Sequence, residues 1–320
     1  MEKIEFTIAI PTYNEQKDLP ACLTSIANQD YPKKNYEVII VDNESTDNTL
    51  TIARSFTKKI NLRIISNKIK DAEVSKKKAY DEAKGDYFMY LDADMRFADS
   101  QFIKKMLFPL KEDTQIAGTF VQFKVNKKQP PLTRTLSYDE FQRDPIFAFF
   151  THGISSILKE KREKYWLCLC TKEKIPPQGL MIYRRSLIKE YIKDKRQLID
   201  NDIPAILVEE GHTKFAFVPY TGVEHLLVRN LKELAKKRIR NLERTYFPNE
   251  SERKFKWINW KKDWPKVGIW LLYTHSPLMF LIAIAKSIKS KDFCFLNEPA
   301  LNIVSTYAII YAVLKNKWKK

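Results

Sequence analysis

Two aspartates stand two residues apart where an apolar stretch ends. Asp92 and Asp94 follow residues 87–91, which are aromatic or aliphatic throughout and predict a strand in the middle of a covered sheet. Because charge is costly to bury, both carboxylates should lie at the open carboxyl end of that strand. Paired carboxylates at such an edge suit a hard divalent cation that also holds phosphate oxygens. The alternative is a helix cap, since Asp94 or Asp99 could begin the helix expected near Ser100.

The elements that must position these aspartates alternate between strand and helix. Apolar runs and helical spacing predict strands at 4–10, 36–41, 62–66 and 87–91, and helices at 19–27, at 74–84 and in a segment that ends near Phe56. This order calls for a mainly parallel sheet with right-handed crossovers and helices on both faces. It brings residues 11–13 and Asp42, which follow the first two strands, to the same edge as Asp92.

Composition limits the classes of protein to consider. The 320 residues carry a formal charge of +17 and are 44% hydrophobic, enough for a core and a basic surface. That charge admits nucleic acid, an anionic membrane or phosphorylated small molecules as partners. Nucleic acid is disfavoured because no zinc-finger or RNP-like motif is present. The seven glycines assemble no phosphate-binding loop, so the phosphates of a bound nucleotide would be held by metal and basic side chains. The four cysteines lack C-x-x-C spacing and are expected to be reduced and cytosolic, and no signal peptide is expected.

Three segments, in order and spacing, carry a resemblance to a known family. They are IAIPTYNEQKDLPACLTSIANQDYP, YEVIIVDNESTDNT and AKGDYFMYLDADM. Together they resemble the N-terminal half of the large family of inverting glycosyltransferases with a GT-A fold. The likeness continues more faintly to His225 through QGLMIYRRSLI, IDNDIPAILVEEG and FAFVPYTGVEH, which resemble the acceptor side. It implies a GT-A-type, doubly wound α/β fold, to which the residues after His225 add a helical, membrane-associating appendage.

The resemblance also implies a set of site residues. The nucleotide-sugar donor would contact Pro11, Thr12, Tyr13, Glu15, Asp42, Lys76 and Asp92. Asp92 and Asp94 would hold Mn2+ or Mg2+ between the two phosphates of the donor, with Asp94 the direct ligand. His225 matches a family position that often completes the metal site. The ordinary alternatives are a helix cap shared with Ser45 and Asp47 for Asp42, a solvated turn for Glu15 and a structural role for His225.

The chain departs from the family pattern just before the helix at 74–84. The family commonly has a glycine-rich approach and Arg-Asn there, whereas this chain has Asp71-Ala-Glu-Val-Ser-Lys76-Lys77-Lys78. Lys76 keeps the positive charge but the asparagine is absent, so the identity of the donor stays open. A run of lysines is also typical of a solvated helix face, here paired at i,i+4 with Asp81 and Glu82.

Transfer with inversion needs a carboxylate that takes the proton of the acceptor hydroxyl. The candidates are Asp200 and Asp202, in the sequence Asp200-Asn201-Asp202. Counted back from Gly211, the acidic pair of the family falls on Ile199 and Asp200. The first acid is therefore missing, and Asp200 takes the position of the base. The alternative is again a cap, for the helix expected at 203–210.

Beyond His225 the residues themselves predict the organisation. A catalytic domain at 1–226, with a nucleotide-binding half at 1–112 and an acceptor half at 113–226, precedes a basic amphipathic helix and linker at 227–264 and a hydrophobic helical hairpin at 265–320. The basic helix could lie on anionic lipid, reach a phosphate in the active site, or pack on the domain with a solvated outer face. Residues 133–170 are expected to cover the acceptor side, without an assigned role.

Two uncharged runs dominate the C-terminal segment. Residues 267–285 approach the length of about 20 residues that a membrane span needs, whereas residues 299–314 are short. Trp264, Trp270 and Trp318 stand where interfacial aromatics are expected, while His275, Ser276 and Pro277 weaken the first run. The runs predict either a membrane-bound hairpin of spanning or re-entrant helices, or two buried helices of a soluble appendage.

These observations favour a metal-dependent inverting glycosyltransferase at the cytosolic face of a membrane. Its donor would be a UDP- or GDP-linked sugar and its acceptor a glycan or polyprenyl lipid. One alternative is a soluble transferase that acts on a polysaccharide or protein. The other is a non-catalytic binder of nucleotides or nucleic acid that keeps the fold, against which the intact Asp92, Asp94 and Asp200 argue.

Overall fold

The structure, a computed structural model, describes residues 3–177, 180–251, 253–256 and 258–317. Its strands are β1 Phe6–Thr12, β2 Tyr36–Asp42, β3 Leu62–Ser66, β4 Tyr87–Tyr90, β5 Met95–Phe97, β6 Gly118–Phe120, β7 Leu158–Lys161, β8 Trp166–Leu169, β9 Met181–Arg184, β10 Lys214–Phe217 and β11 Val223–His225. Its helices are α1 Leu19–Ala27, α2 Thr49–Phe56, α3 Ala72–Glu82, α4 Phe102–Glu112, α5 Pro131–Ser137, α6 Pro145–Phe150, α7 Lys189–Ile192, α8 Ile203–Glu209, α9 Leu231–Asn241, α10 Trp260–Thr274, α11 Leu278–Ser290 and α12 Glu298–Lys317. Short 3₁₀ segments lie at Ile154–Ser156, Arg185–Ile188, Asp200–Asp202 and Phe293–Asn297, and a π-helical turn at Leu242–Tyr246.

Nine of the described strands form one sheet, in the order β3-β2-β1-β4-β9-β6-β10-β8-β7. Strands β1 to β4 are parallel, with Ile8 opposite both Val38 and Met89, and helices α1, α2 and α3 connect them in turn. Every residue of β1, β2 and β4 is buried, as expected for strands covered on both faces. The prediction of a doubly wound, mainly parallel sheet with helices on both faces is confirmed.

The carboxyl ends of the parallel strands meet at one edge of this sheet. Thr12 is the register partner of Asp42, and Asp42 is the partner of Ser66. The amide of Leu91 donates to the carbonyl of Ala9 at 2.8 Å, so the chain after β4 leaves the sheet at the same level. The residues that follow these four strands therefore lie side by side, where ligands bind in open α/β sheets.

The second half of the sheet is mixed in direction. Strand β9 runs antiparallel to both β4 and β6, and β10 pairs parallel with β6 and antiparallel with β8. Strand β9 comes from the segment QGLMIYRRSLI, of which Gln178 and Gly179 lie outside the described residues. Strands β5 and β11 form a separate antiparallel pair, and β5 begins directly after Asp94.

Internal contacts divide the chain into two compact units. The first comprises residues 1–122 and 154–225 and contains all of the strands named above. The second comprises residues 123–153 and 226–320 and is helical in its described part. The segment 123–153 thus packs with the C-terminal helices, whereas the sequence analysis assigned it to an acceptor half at 113–226.

Ion pairs and apolar packing hold together the two segments of the second unit. Asp292, which is buried, accepts from Arg134 at 3.0 and 3.1 Å and from Lys127 at 2.8 Å. These partners outweigh the effect of its burial and hold the pKa of Asp292 well below its usual range. Leu132 and Leu136 of α5 pack with Leu301 of α12 in one apolar cluster. These contacts hold α5 to the C-terminal helices.

The two uncharged runs of the C-terminal segment lie in three helices, α10, α11 and α12. The run 267–285 is not one helix, because the chain breaks between α10 and α11 at residues 275–277 and the two helices are bent by 74°. The run 299–314 lies in α12, whose 20 residues would measure about 30 Å, so the prediction that this run is too short to span is wrong in length. One described helical stretch, Phe293–Asn316, is long and apolar enough to cross a membrane, and half of it is buried within the protein.

The tryptophans expected at a membrane interface differ in solvent exposure. Trp264 is 71% exposed, as expected for an interfacial side chain. Trp270 is buried and its indole nitrogen donates to Thr306 at 2.9 Å, so its expected interfacial role is wrong because α12 covers it. Trp318 lies outside the described residues.

Candidate active site

Asp92, Asp94 and His225 converge on one point at the edge of the sheet. One oxygen of each carboxylate and one imidazole nitrogen lie within 4.8 Å of one another, and His225 Nε2 is 3.4 Å from Asp94 Oδ1. Asp92 and Asp94 lie in the short link between β4 and β5, while the pairing of β11 with β5 sets His225 opposite Met95. Two strands that begin 128 residues apart thereby bring an imidazole beside the second aspartate.

This donor set could hold a divalent cation. Carboxylate oxygens are the ligands that Mg2+ and Mn2+ prefer, and a buried imidazole can supply a further nitrogen. Two carboxylates this close repel each other unless a cation or proton lies between them. The helix-cap alternative does not apply to Asp94, because β5 follows it and α4 begins only at Phe102. Asp99 does accept the amide of Gln101, at the start of that helix.

The ends of β1 and β2 build a polar cradle around Asp42. Its Oδ1 accepts from Thr12 Oγ1 at 3.1 Å and from Ser45 Oγ at 2.6 Å, and its Oδ2 accepts from the amide of Ser45 at 2.9 Å. Asp42 therefore orders the turn with Ser45, while the amide of Thr49 at the helix start donates to Asp47. Asp47 thus orders the chain at the start of α2, whose N-cap residue is Asn48, and Asp42 contacts the same turn from the strand.

The turn after β1 presents the other residues predicted to contact a donor. Pro11 lies inside β1 opposite Val41, and Tyr13 is 44% exposed with Lys70 Nζ 4.7 Å from its ring centre. Asn14 adopts a left-handed backbone with φ of 57°, and its side chain accepts from the amide of Thr46. The amide of Glu15 donates to Thr49 Oγ1 at 2.7 Å. These bonds join the turns after β1 and β2 into one ordered rim.

Lys76 is buried rather than solvated. Its Nζ lies 3.1 Å from Glu73 Oε1 and 3.2 Å from Asp200 Oδ2, and 4.1 Å from the ring centre of Tyr90. Of the i,i+4 pairs expected for the lysine run, only Lys77 with Asp81 forms among the described residues, whereas Glu82 pairs with Arg63. The expectation of a solvated face is wrong for Lys76 because the 200–202 turn packs over it.

Of the two carboxyl groups that contact Lys76, the surrounding charges favour ionisation of only one. Burial raises the pKa of Glu73 to about 8, against the opposing effect of Lys76. Burial alone would also raise the pKa of Asp200, but the charge of Lys76 and hydrogen bonds from Tyr90 and Lys76 outweigh it and lower that pKa. Asp200 is thus the carboxylate that stays ionised at neutral pH, as a general base requires.

Asp202 differs from Asp200 in its surroundings. It is buried at the N-cap position of α8, yet its side chain makes no capping hydrogen bond. Asp200 Oδ1 accepts from the adjacent amide of Asn201 at 2.9 Å, and its second oxygen faces Lys76. The capping alternative therefore explains neither side chain in this structure, and Asp200 is the one that lies in the cluster beside Tyr90.

Sequence reasoning did not identify Glu73 or Tyr90 as site residues. Glu73 stands in the first turn of α3, where acidic residues are common because they favour the helix dipole. In the sequence, Tyr90 is indistinguishable from the other buried aromatic and apolar residues of β4. The signal available in the sequence was the i,i+3 spacing of Glu73 and Lys76, which places both on one face of the helix.

A protein-family model described as Glycosyl transferase family 2 matches residues 7–192 of the chain. The chain belongs to this family. The match covers more than half of the sequence and includes the strands and turns that carry Asp42, Asp92 and Asp94. The family named from the three motifs is thus confirmed, and the chain is a member of a glycosyltransferase enzyme family.

Two curated relatives align with parts of this family 2 chain. One is from Methanococcus voltae and is named dolichyl N-acetyl-alpha-D-glucosaminyl phosphate 3-beta-D-2,3-diacetamido-2,3-dideoxy-beta-D-glucuronosyltransferase. It is 34% identical over 119 residues, or 35% of this chain and 37% of that protein. The poly(ribitol-phosphate) beta-N-acetylglucosaminyltransferase TarS of Staphylococcus aureus is 34% identical over 93 residues, or 28% of this chain and 16% of TarS. The aligned parts span well under two thirds of either relative.

Solved structures support the fold. The mannosyltransferase PcManGT of Pyrobaculum calidifontis, in complex with GDP-Man and Mn2+, has a TM-score of 0.53 at 13% identity and matches 100% of this chain and 89% of its own. TarS residues 1–349 of S. aureus with UDP-GlcNAc has a TM-score of 0.50 at 18% identity, over 75% of this chain and 67% of its own. The GT-A fold predicted from the motifs is confirmed.

Proposed function

We propose that this chain is a metal-dependent inverting glycosyltransferase that moves a sugar from a nucleotide diphosphate to an acceptor hydroxyl or phosphate. The convergence of Asp92, Asp94 and His225 at the carboxyl edge of the sheet carries the proposal, because three such ligands suit a divalent cation, which would stabilise the charge of a diphosphate. Asp200 stands in the same unit as an ionised carboxylate fixed by Lys76. The polar rim around Thr12 and Asp42 offers hydrogen bonds to a nucleoside.

Each group has one task in this mechanism. Asp92, Asp94 and His225 would hold Mn2+ or Mg2+, which supplies charge stabilisation for the departing diphosphate. Pro11, Thr12, Tyr13, Glu15 and Asp42 form the rim that receives the nucleotide. The carboxylate of Asp200 takes the proton of the acceptor, which attacks the anomeric carbon from the face opposite the diphosphate. A single displacement of this kind inverts the configuration of the sugar.

The donors bound by similar structures define the first experiment. PcManGT was solved with GDP-Man and TarS with UDP-GlcNAc, so both nucleotide classes are tested here. We expect one of a panel of UDP- and GDP-sugars to raise the melting temperature when Mn2+ or Mg2+ is present. A ligand at 100 times its dissociation constant stabilises the folded state by about 2.7 kcal/mol. Equal melting temperatures with every nucleotide sugar, with and without metal, would contradict the proposal.

We also propose that the protein works at the cytosolic face of a membrane on a glycan or a lipid-linked acceptor. Many large apolar side chains of α10, α11 and the segment after them are exposed, namely Trp264, Ile269, Leu272, Leu278, Phe280, Leu281, Ile284, Ile288, Phe293 and Leu296. Exposed apolar groups on this scale mark an interaction surface. The relative from M. voltae has a dolichyl-linked acceptor in its name, in keeping with a lipid acceptor here.

The geometry of α10 and α11 favours insertion of these two helices into one leaflet over a full span. Helices α10 and α11 contain 15 and 13 residues and would measure about 22 and 20 Å, less than the about 30 Å of the hydrocarbon core. They are bent by 74° at the break between them. Lys232, Lys236, Arg240 and Arg244 add a row of exposed cations at i+4 spacing, which suits anionic headgroups. Leu231 and Leu234 of the same helix pack with Leu301, so the packing alternative for α9 also holds.

Removing exposed apolar groups should release the protein from membranes. We expect the combined variant Leu272→Gln, Ile288→Gln, Phe293→Gln to lose flotation with anionic vesicles, because these side chains are 75, 71 and 77% exposed. Their replacement removes apolar area from the surface and little packing from the interior. Wild type should stay bound in about 1 M salt, where the Debye length is about 3 Å and attraction to lysines is screened.

The matched control removes exposed apolar groups from the other unit. Leu169→Gln with Tyr220→Gln changes side chains that are 39 and 52% exposed in the sheet-containing unit, and flotation should be unchanged. Release of wild type by salt alone would show that only the basic row binds lipid. Wild type that never floats would favour the alternative of a soluble transferase acting on a polysaccharide or protein.

A further inference from the structure

The environment of Lys76 is built from two segments far apart in the chain. Lys76 is 3% exposed, and its ammonium group lies between the carboxylates of Glu73, on its own helix, and Asp200, 124 residues later. The ring of Tyr90 covers a third side, with its centre 4.1 Å from Nζ. Two carboxylates and an aromatic ring thus surround the ammonium group, and the Lys76 side chain, 4% exposed, leaves little of Nζ to meet a donor phosphate.

Two further hydrogen bonds, one between backbone groups and one between side chains, join the same two segments. The amide of Leu198 donates to the carbonyl of Glu73 at 3.0 Å, and Gln197 Nε2 donates to Asp71 Oδ2 at 3.3 Å. The side chain of Asp71 in turn caps α3 by accepting the amides of Glu73 and Val74. The start of α3 is thus a rigid support for the turn that carries Asp200.

The charges of this cluster balance only if one acid is neutral. Lys76 supplies one positive charge to two largely buried carboxyl groups, with Asp92 close enough to affect them. Glu73 Oε2 is buried without a hydrogen-bond partner in the described structure, which a charged carboxylate would tolerate poorly. Glu73 is the group whose pKa rises, to about 8, so Asp200 keeps the negative charge.

We propose that Lys76 and Glu73 are positioning residues for Asp200. Lys76 fixes the orientation of the Asp200 carboxylate, and Glu73 supplies from α3 the second acidic group that the Ile199-Asp200 segment lacks. The inference rests on the proposed function, in which Asp200 is the base. It assigns Lys76 to the acceptor side of the reaction, whereas the family resemblance assigned it to the donor. Acceptor activation, and not donor affinity, should depend on it.

Replacement of Lys76 separates these two roles. In Lys76→Met we expect kcat for release of nucleoside diphosphate to fall about 10-fold or more, with the dissociation constant of the nucleotide sugar unchanged. The acid limb of the pH profile should move to higher pH, because loss of the neighbouring positive charge raises the pKa of Asp200 and a base works only when deprotonated. Lys76→Arg, which keeps the charge, should restore both kcat and the acid limb.

The matched control is the next residue of the helix. Lys77 is also buried and also pairs with a carboxylate, but its partner is Asp81, at 2.6 Å, whereas the partner of Lys76 is Asp200. Lys77→Met should therefore retain the wild-type kcat and pH profile. A Lys76→Met protein with weakened donor binding and an unchanged acid limb would overturn the proposal and return Lys76 to the donor. The same holds if Lys76→Met and Lys77→Met behave alike.

Two variants of Glu73 keep the proposal testable if Lys76→Met does not fold. Glu73→Gln resembles the protonated acid and should keep near wild-type kcat at pH 7, whereas Glu73→Ala removes a partner of Lys76 and should lower kcat without changing donor affinity. Unchanged kcat in both variants would overturn the role of Glu73. Failure of the proposed function looks different, because wild type itself would then neither bind nor turn over a nucleotide sugar with any metal.

Discussion

Replacing Asp94 with alanine should abolish metal-dependent donor binding while leaving the fold intact. Asp94 contributes one of the three converging ligand atoms, and its Oδ1 lies 3.4 Å from His225 Nε2. Without it, Asp92 and His225 would offer two ligands, too few to hold a divalent cation against water. The metal-free protein should be as stable as wild type, because the substitution also removes repulsion between neighbouring carboxylates. Calorimetric titration of Mn2+, and then of the best nucleotide sugar, measures both effects.

A control at the opposite end of the same strand tests whether charge alone matters. Asp86 precedes β4, is about half exposed and pairs with Lys3 at 2.8 Å. Asp86→Ala removes one negative charge without touching the candidate metal site, and its affinity for Mn2+ and nucleotide should match that of wild type. Donor affinity that survives Asp94→Ala, or that survives excess chelator in wild type, would refute a metal-dependent donor site.

Local patterns were sufficient to predict the parallel half of the fold. Helix α1 and strand β3 have the bounds that the sequence predicted, Leu19–Ala27 and Leu62–Ser66. Each is specified by residues within its own stretch, through apolar periodicity and adjacent turn residues. The common edge of Thr12, Asp42 and Asp92 follows from the order of these elements, because parallel strands with right-handed crossovers end on the same side.

The surroundings of the site residues depend on contacts that no local pattern contains. Lys76 reads as part of a solvated lysine run until Asp200, 124 residues later, packs against it. His225 reaches Asp94 only because β11 pairs with β5 in one register, and a slip of one residue would turn its side chain to the other face. Pairings of this kind are fixed by the assembled sheet. The sequence could suggest such pairings as possibilities, but it could not show which of them form.

The C-terminal region shows the same limit for hydrophobic runs. The length of residues 267–285 predicted one helix, and His275, Ser276 and Pro277 were the signs against it. In the structure the chain turns there, and His275 Nε2 lies 2.9 Å from the hydroxyl of Tyr307 in α12. Trp270 is covered by the same helix. Which apolar residues face protein and which face outward depends on how the helices pack, so hydropathy alone could not separate Trp264 from Trp270.

The second large effect should come from Asp200. Asp200→Asn keeps the shape of the side chain and loses its basicity, so turnover should fall by roughly 100-fold or more while donor affinity barely changes. The fold should tolerate the change, because the amide of Asn201 can still donate to the new side chain and Lys76 retains Glu73. Loss of the neighbouring negative charge lowers the pKa of Glu73, which can then ionise and balance Lys76. Release of nucleoside diphosphate and donor titration measure the two quantities separately.

Asp202→Asn is the comparison that tests the assignment of the base. Asp202 is buried at the start of α8 and is absent from the hydrogen bonds that tie Asp200 to Lys76 and Asn201. Its replacement should therefore leave turnover within a few-fold of wild type. If Asp202→Asn loses turnover and Asp200→Asn does not, the base lies two residues later than the family register places it. If both variants turn over normally, the 200–202 turn only supports Lys76, and the proton of the acceptor is taken by another group at the sheet edge.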